Sequence, residues 1–179
     1  MVFLSGCDDM STQEDMGIPG PVEIREMTAD DLNEVLAIEH ASFSAPWTED
    51  HFREEMAVPF CHDLVIYCGG KLFGYMSFAI VHDEVHIRNI AVRRDVRRCG
   101  IASTLMGEML SITARHRVRL AILEVRVSNV AAVRLYEKFG FSVRGVRQAY
   151  YTRPVEDALI LCADLFENAG TFSRGDSPL

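Results

Sequence analysis

Between Val92 and Ile101 the chain changes character abruptly, and that change restricts the fold more than any other stretch. Asn89-Ile90-Ala91-Val92 is apolar and strand-like, whereas Ile101, Leu105, Met109 and Ile112 recur at helical core spacing up to about Arg115. The junction reads Arg97-Arg98-Cys99-Gly100-Ile101-Ala102. A strand that feeds a helix through a glycine predicts an α/β domain, with unpaired first-turn N–H groups and the positive end of the helix dipole gathered at the junction. Gly100 permits close backbone approach and Ala102 keeps the first turn slim. Arg93, Arg94, Arg97 and Arg98 crowd four positive charges into six positions, so the junction is a candidate anion cradle. A plain solvated loop with one glycine before a helix would read the same way. No Gly-Lys-Ser/Thr and no G-x-G-x-x-G accompanies it.

The remaining pattern supplies the rest of an α/β domain over about residues 22–166. Val22–Met27 alternates as a strand, and Thr28 with Asp31 can cap a helix from Ala29 to His40. That helix has an apolar stripe (Leu32, Val35, Leu36, Ile38) and an acidic back that includes Glu39. Thr48 can cap a second helix ending at Met56. Leu64–Cys68 and Leu72–Val81 flank the Gly69-Gly70 turn as a hairpin, and Glu84–Val92 follows through a turn at His82-Asp83. Arg115–Arg119 is a basic connection to the apolar run Leu120–Val125, expected as a buried strand. A helix from Asn129 to Phe139 stopped by Gly140, then strands over Phe141–Arg147 and Asp157–Leu161, close the domain. The polar segments 1–21 and 167–179 read as a flexible leader and tail; the latter holds the adhesion-motif lookalike Arg174-Gly175-Asp176.

Composition narrows the class. A net charge of -8 argues against general nucleic-acid binding. No apolar stretch is long enough to span a membrane, and a cytoplasmic place is expected. Leu4-Ser5-Gly6-Cys7 resembles a lipoprotein cleavage box, but too few residues precede it for an export signal. Five cysteines without a C-x-x-C pair suggest neither disulfides nor zinc. His82-Asp83-Glu84-Val85-His86 has the wrong order for a zinc protease box, so no metal is expected. Eight acidic residues between Met27 and Met56 (Asp30, Asp31, Glu34, Glu39, Glu49, Asp50, Glu54, Glu55) could attract a cationic partner or could be solvated helix faces.

Two further residues invite chemistry. Glu124 is a carboxylate inside an apolar run, where desolvation would raise its pKa toward that of a general base, unless it forms a salt bridge, for instance with Arg126 on the same strand face. Tyr136 lies on a helix, where a core aromatic is the commoner fate.

The junction matches the Gln/Arg-x-x-Gly-x-Gly/Ala signature of the GNAT superfamily of N-acetyltransferases, preceded as there by Asn89-Ile90-Ala91-Val92. Leu123-Glu124-Val125-Arg126-Val127-Ser128-Asn129 followed by Leu135-Tyr136-Glu137-Lys138-Phe139-Gly140-Phe141 resembles a second block of that family. With Pro46-Trp47 upstream and Tyr150-Tyr151 downstream, the string resembles the RimI branch, which acetylates the N-terminal alanine of a small-subunit ribosomal protein. Ala102 stands in place of the commoner second glycine, and Cys99 where a polar residue or glycine is more usual.

The resemblance implies a mixed, mostly antiparallel sheet in which the strand holding Ile90–Val92 splays from the strand holding Glu124, with flanking helices. It implies acetyl-CoA as cosubstrate, contacted by Ile90, Ala91, Val92, Arg97, Arg98, Cys99, Gly100, Ile101, Ala102, Ser103 and Asn129, although Asn129 could equally be an ordinary helix cap. It assigns Glu124 as proton acceptor and Tyr136 as proton donor to the leaving thiolate. The partner it implies is the basic N-terminus of a ribosomal small-subunit protein; the sequence leaves the oligomeric state open, with a monomer expected. A relative acting on a small amine or on lysine, and a non-catalytic CoA sensor, fit the same motifs.

Overall fold

The structure is a computed structural model that describes residues 21–168. The proposed cleavage box, Cys7 and Arg174-Gly175-Asp176 lie outside the described residues.

Local chemistry accounts for most boundaries. β1 (Val22–Glu26) leads through a short 3-10 turn, Ala29–Asp31, into α1 (Leu32–Ser42). Asp31 accepts hydrogen bonds from the Thr28 N–H (2.7 Å) and hydroxyl (2.9 Å), the reciprocal cap expected there. Thr48 accepts from the His51 N–H at the start of α2 (Glu49–Met56). β2 (Cys61–Cys68) and β3 (Lys71–Val81) turn at Gly69 and Gly70, both at positive φ, and β4 (Glu84–Val92) follows the turn at His82. α3 (Ile101–Arg115) buries Ile101, Leu105, Met109 and Ile112 as their spacing predicts. β5 (Leu120–Arg126) precedes α4 (Val130–Lys138), which ends where Gly140 adopts φ 80°. β6 (Ser142–Thr152), β7 (Val155–Asp164) and the short α5 (Leu165–Asn168) complete the chain.

The strands form one seven-stranded sheet in the order β1-β2-β3-β4-β5-β7-β6. The β1–β2, β2–β3, β5–β7 and β6–β7 pairings are antiparallel and β4–β5 is parallel. The parallel ladder runs only from Glu84↔Leu120 to Ile87↔Leu123, although β4 continues to Val92 and β5 to Arg126.

The closing hairpin is longer than its turn residues predicted. A break in register between Arg147 and Tyr151, with Ala149 at φ 50° and its N–H donating to Asp157 Oδ1 (2.8 Å), lets β6 continue past an interruption that looked like its end.

The chain divides into two compact units, each described here by itself: residues up to Ala79 with Arg88–Met109, and Ile80–Ile87 with residues from Leu110 onward. In the first, Leu32, Val35, Ile38, Phe52, Val65, Leu72 and Tyr75 pack as one apolar cluster beside Trp47. Glu39 lies within this unit, fully buried. Its carboxylate accepts from the Trp47 N–H (2.7 Å), from Asn89 Nδ2 (3.4 Å) and from the Tyr75 hydroxyl. The expected acidic back of α1 thus loses Glu39 to the core, where desolvation raises its pKa. Its spacing had carried that signal, since Leu32, Val35 and Glu39 stand three and four residues apart. Among the described residues, no helix is long and apolar enough to cross a membrane.

Candidate functional site

In the first unit, β4 ends at Val92, a 3-10 turn spans Arg94–Val96, and α3 opens at Ile101. Arg98 (φ 70°) and Gly100 (φ 80°) both adopt the left-handed region, reversing the chain into the helix. The Thr104 N–H donates to Gly100 O (3.0 Å), so the amides of Ile101, Ala102 and Ser103 precede the first intrahelical bond and remain available. The backbone thus has the form of an anion cradle.

The arginines behave differently from expectation. Arg97 folds back, Nε donating to Val92 O (3.1 Å) and Nη2 to Ser42 Oγ (3.2 Å), so its guanidinium braces the loop. Arg93 pairs with Asp95 and lies over the Phe73 ring, and Arg94 donates to Ala41 O. Among the described residues only Arg98 of the four has no such partner. Sequence showed the charge density but not how the loop spends it. Cys99 is half-buried, its thiol donating to Arg97 O at 3.8 Å.

β3 comes unusually close to the end of β4. A Cβ on Gly74 would sit 2.7 Å from the carbonyl oxygen of Ala91. Glycine here sets the position of Ala91 and Val92, two of the predicted cofactor contacts.

The second unit holds Glu124 and Tyr136. β5 alternates, with Ala121, Leu123 and Val125 buried while Leu120, Ile122, Glu124 and Arg126 share a half-buried face. Glu124 is consequently not enclosed as the apolar run suggested. Its side chain is 26% exposed and pairs with Arg147 Nη1 on β6 at 3.2 Å. The predicted partner Arg126 instead binds Glu156 (3.0 Å), Arg153 O (2.9 Å) and Pro154 O (3.3 Å), beneath the Tyr151 ring at 4.0 Å. Register explains the exchange. Arg126, Ala158 and Arg147 form one lateral row across β5, β7 and β6, so only a methyl separates the two guanidinium stems. The Tyr151 hydroxyl donates to Glu124 O at 3.4 Å.

Tyr136 is buried, 5% exposed, with its ring 5.7 Å from that of Phe141. Its hydroxyl makes no hydrogen bond among the described residues. Burial, helped by the nearby Tyr151, raises its pKa and keeps the phenol protonated. Asn129 caps α4, its Oδ1 accepting from the Ala132 N–H (3.2 Å), which leaves only its amide nitrogen for other contacts.

Half of the acidic segment is consumed internally: Asp31 by Arg25, Glu39 by the core, Glu49 by Arg53 and Glu55 by Arg88. His86 pairs with Glu84 at 3.0 Å, and the described residues contain no group of three metal-ligating side chains.

Relatives agree with this architecture. The model described as Acetyltransferase (GNAT) family matches residues 32–141. A Bacillus subtilis protein, provisionally named a ribosomal protein bS18-alanine N-acetyltransferase, is 40% identical over 145 residues, spanning 80% of this chain and 96% of the relative. An Escherichia coli strain K12 protein named a ribosomal protein bS18-alanine N-acetyltransferase is 31% identical over 140 residues, spanning 77% and 94%. The crystal structure of the Escherichia coli ribosomal-protein-S18-alanine N-acetyltransferase superposes with a TM-score of 0.75 at 28% identity, covering 89% of this chain and 99% of that one. In sequence and in fold, this chain belongs to the GNAT family of acetyltransferases.

Proposed function

We propose that the protein transfers the acetyl group of acetyl-CoA to the N-terminal alanine of ribosomal protein bS18. Support comes chiefly from the extent of the match: the aligned region takes in 96% of the Bacillus subtilis relative, so the likeness is not confined to the cofactor motif.

The residues present fit the cosubstrate. The free amides of Ile101–Ser103, at the positive end of α3, suit a pyrophosphate, with Arg98 the available side-chain cation. The end of β4, Ile90–Val92, can take the pantetheine arm as an added strand, leaving a backbone N–H for the thioester carbonyl oxygen. Bound acetyl-CoA supplies an activated acyl thioester. Glu124 then has a defined task, because an α-amino group with a pKa of about 8 is mostly protonated at neutral pH and must lose a proton before it attacks. Its carboxylate takes that proton, directly or through water. Tyr136, held protonated by burial, gives a proton to the departing thiolate. Asp30, Glu34, Asp50 and Glu54, the acidic side chains not consumed internally, favour a cationic acceptor.

The test incubates the protein with acetyl-CoA and a peptide beginning Ala-Arg, beside a control with a blocked N-terminus and a free lysine. Acetylation of the α-amine alone is the expected result. Acetylation of the blocked peptide alone would overturn the assignment.

A further inference from the structure

The two guanidinium groups on the Glu124 face are held very differently. Arg126 is 21% exposed and fastened by Glu156 and two carbonyls. Arg147 is 53% exposed, has Nη1 3.2 Å from Glu124 Oε1, and is backed by the Tyr150 ring at 5.5 Å. The bulge after Arg147 brings two residues of β6 onto one residue of β5: Arg147 reaches the Glu124 side chain over the small Ala158, and Tyr151 reaches its carbonyl. The other ionisable groups around this face are Arg126 on β5, Arg144, Tyr150 and Tyr151 on β6, Glu156 and Cys162 on β7, and Tyr136 on α4. Arg147 is thus a loosely held cation paired with the carboxylate.

We infer that Arg147 is a displaceable counter-ion of Glu124, a positioning residue that holds the carboxylate aimed until the cationic N-terminus of an acceptor takes its place. This rests on Glu124 being the proton acceptor. Exchanging guanidinium for ammonium leaves the carboxylate compensated throughout, so the exchange avoids a bare charge. A half-exposed ion pair is weak enough to be exchanged readily. The acetylated product is a neutral amide and cannot compensate the carboxylate, so Arg147 returns and product binding is disfavoured. The device selects a protonated amine as substrate and rejects the amide formed from it.

The test measures binding of an Ala-Arg peptide, with and without N-terminal acetylation, by titration calorimetry with CoA present. It compares the wild type, Arg147→Met and Arg147→Lys, each also combined with Glu124→Gln. Arg147→Met should tighten the free-amine peptide about threefold to fivefold, the worth of an exposed ion pair, and should leave KM for acetyl-CoA unchanged. Arg147→Lys should restore wild-type affinity. In the Glu124→Gln background the tightening should vanish. Unchanged or weaker peptide binding by folded Arg147→Met, or equal tightening with Glu124→Gln, overturns the inference. Wild-type turnover by Glu124→Gln alone overturns the proton-acceptor role, a result independent of Arg147.

Discussion

Gly74 faces Ala91 so closely that any side chain at Gly74 would press on the Ala91 carbonyl, with a Cβ only 2.7 Å from that oxygen. The obstructing atom is backbone, so the strand itself would have to move. Gly74→Ala should destabilise the fold by about 1–3 kcal/mol. It should also raise KM for acetyl-CoA more than KM for the peptide, because Ala91 and Val92 lie on the edge proposed to hold the pantetheine. Thermal unfolding with two-substrate kinetics checks both parts. A loss of stability with both KM values unchanged would separate this contact from cofactor binding.

Removing the proposed proton acceptor should damage turnover without damaging the cradle. Glu124→Gln should lower kcat by about 10²–10⁴-fold near neutral pH, with CoA affinity close to that of the wild type. Tyr136→Phe should lower kcat by a smaller factor. Steady-state kinetics with calorimetric CoA binding test both variants, and unchanged turnover in Glu124→Gln would remove Glu124 as the base.

Glu39 satisfies groups from three segments: Trp47, Tyr75 and Asn89. Glu39→Ala would strand a buried hydroxyl and a backbone N–H and leave a cavity. A loss of about 3–5 kcal/mol is expected, in the range for breaking a buried polar network. Glu39→Gln keeps one acceptor oxygen and should lose less. Urea unfolding of both variants measures the difference, and equal losses would count against the network.

Asp63 gives a pH signature. It is buried, accepts from the Ser77 hydroxyl, and has a second carboxylate oxygen without a partner among the described residues. Burial, reinforced by Glu55 and Glu26, pushes its pKa up to about 6. The folded state thus prefers the protonated form. Its stabilising contribution is full below about pH 4 and fades as the pH rises through about 6. Asp63→Asn, which keeps an acceptor for Ser77, should melt about 2–4 °C above the wild type at pH 8, for a gain of about 1 kcal/mol. The advantage should disappear toward pH 4. Melting curves across that range decide it, and a constant offset at every pH would assign the gain to something other than titration.

The amino-acid sequence alone determined the features set by neighbours along the chain. The cap at Thr28, the helical stripe from Ile101 to Ile112, the stop at Gly140 and the strand-to-helix junction all follow from spacing and backbone chemistry within a few residues, so they were legible before any tertiary contact. Only the tertiary structure decided which partners the charged side chains take. Glu39 reaches Tyr75 and Asn89, 36 and 50 residues away. Arg126 binds Glu156 on β7, and Arg147 meets Glu124 from the β6 position that its register sets opposite Ala158. Arg97 closes on Val92 and Ser42 rather than on the cradle it was expected to line. Ion pairs are short-ranged and directional, so strand register reassigns them while the apolar pattern that builds the sheet stays the same.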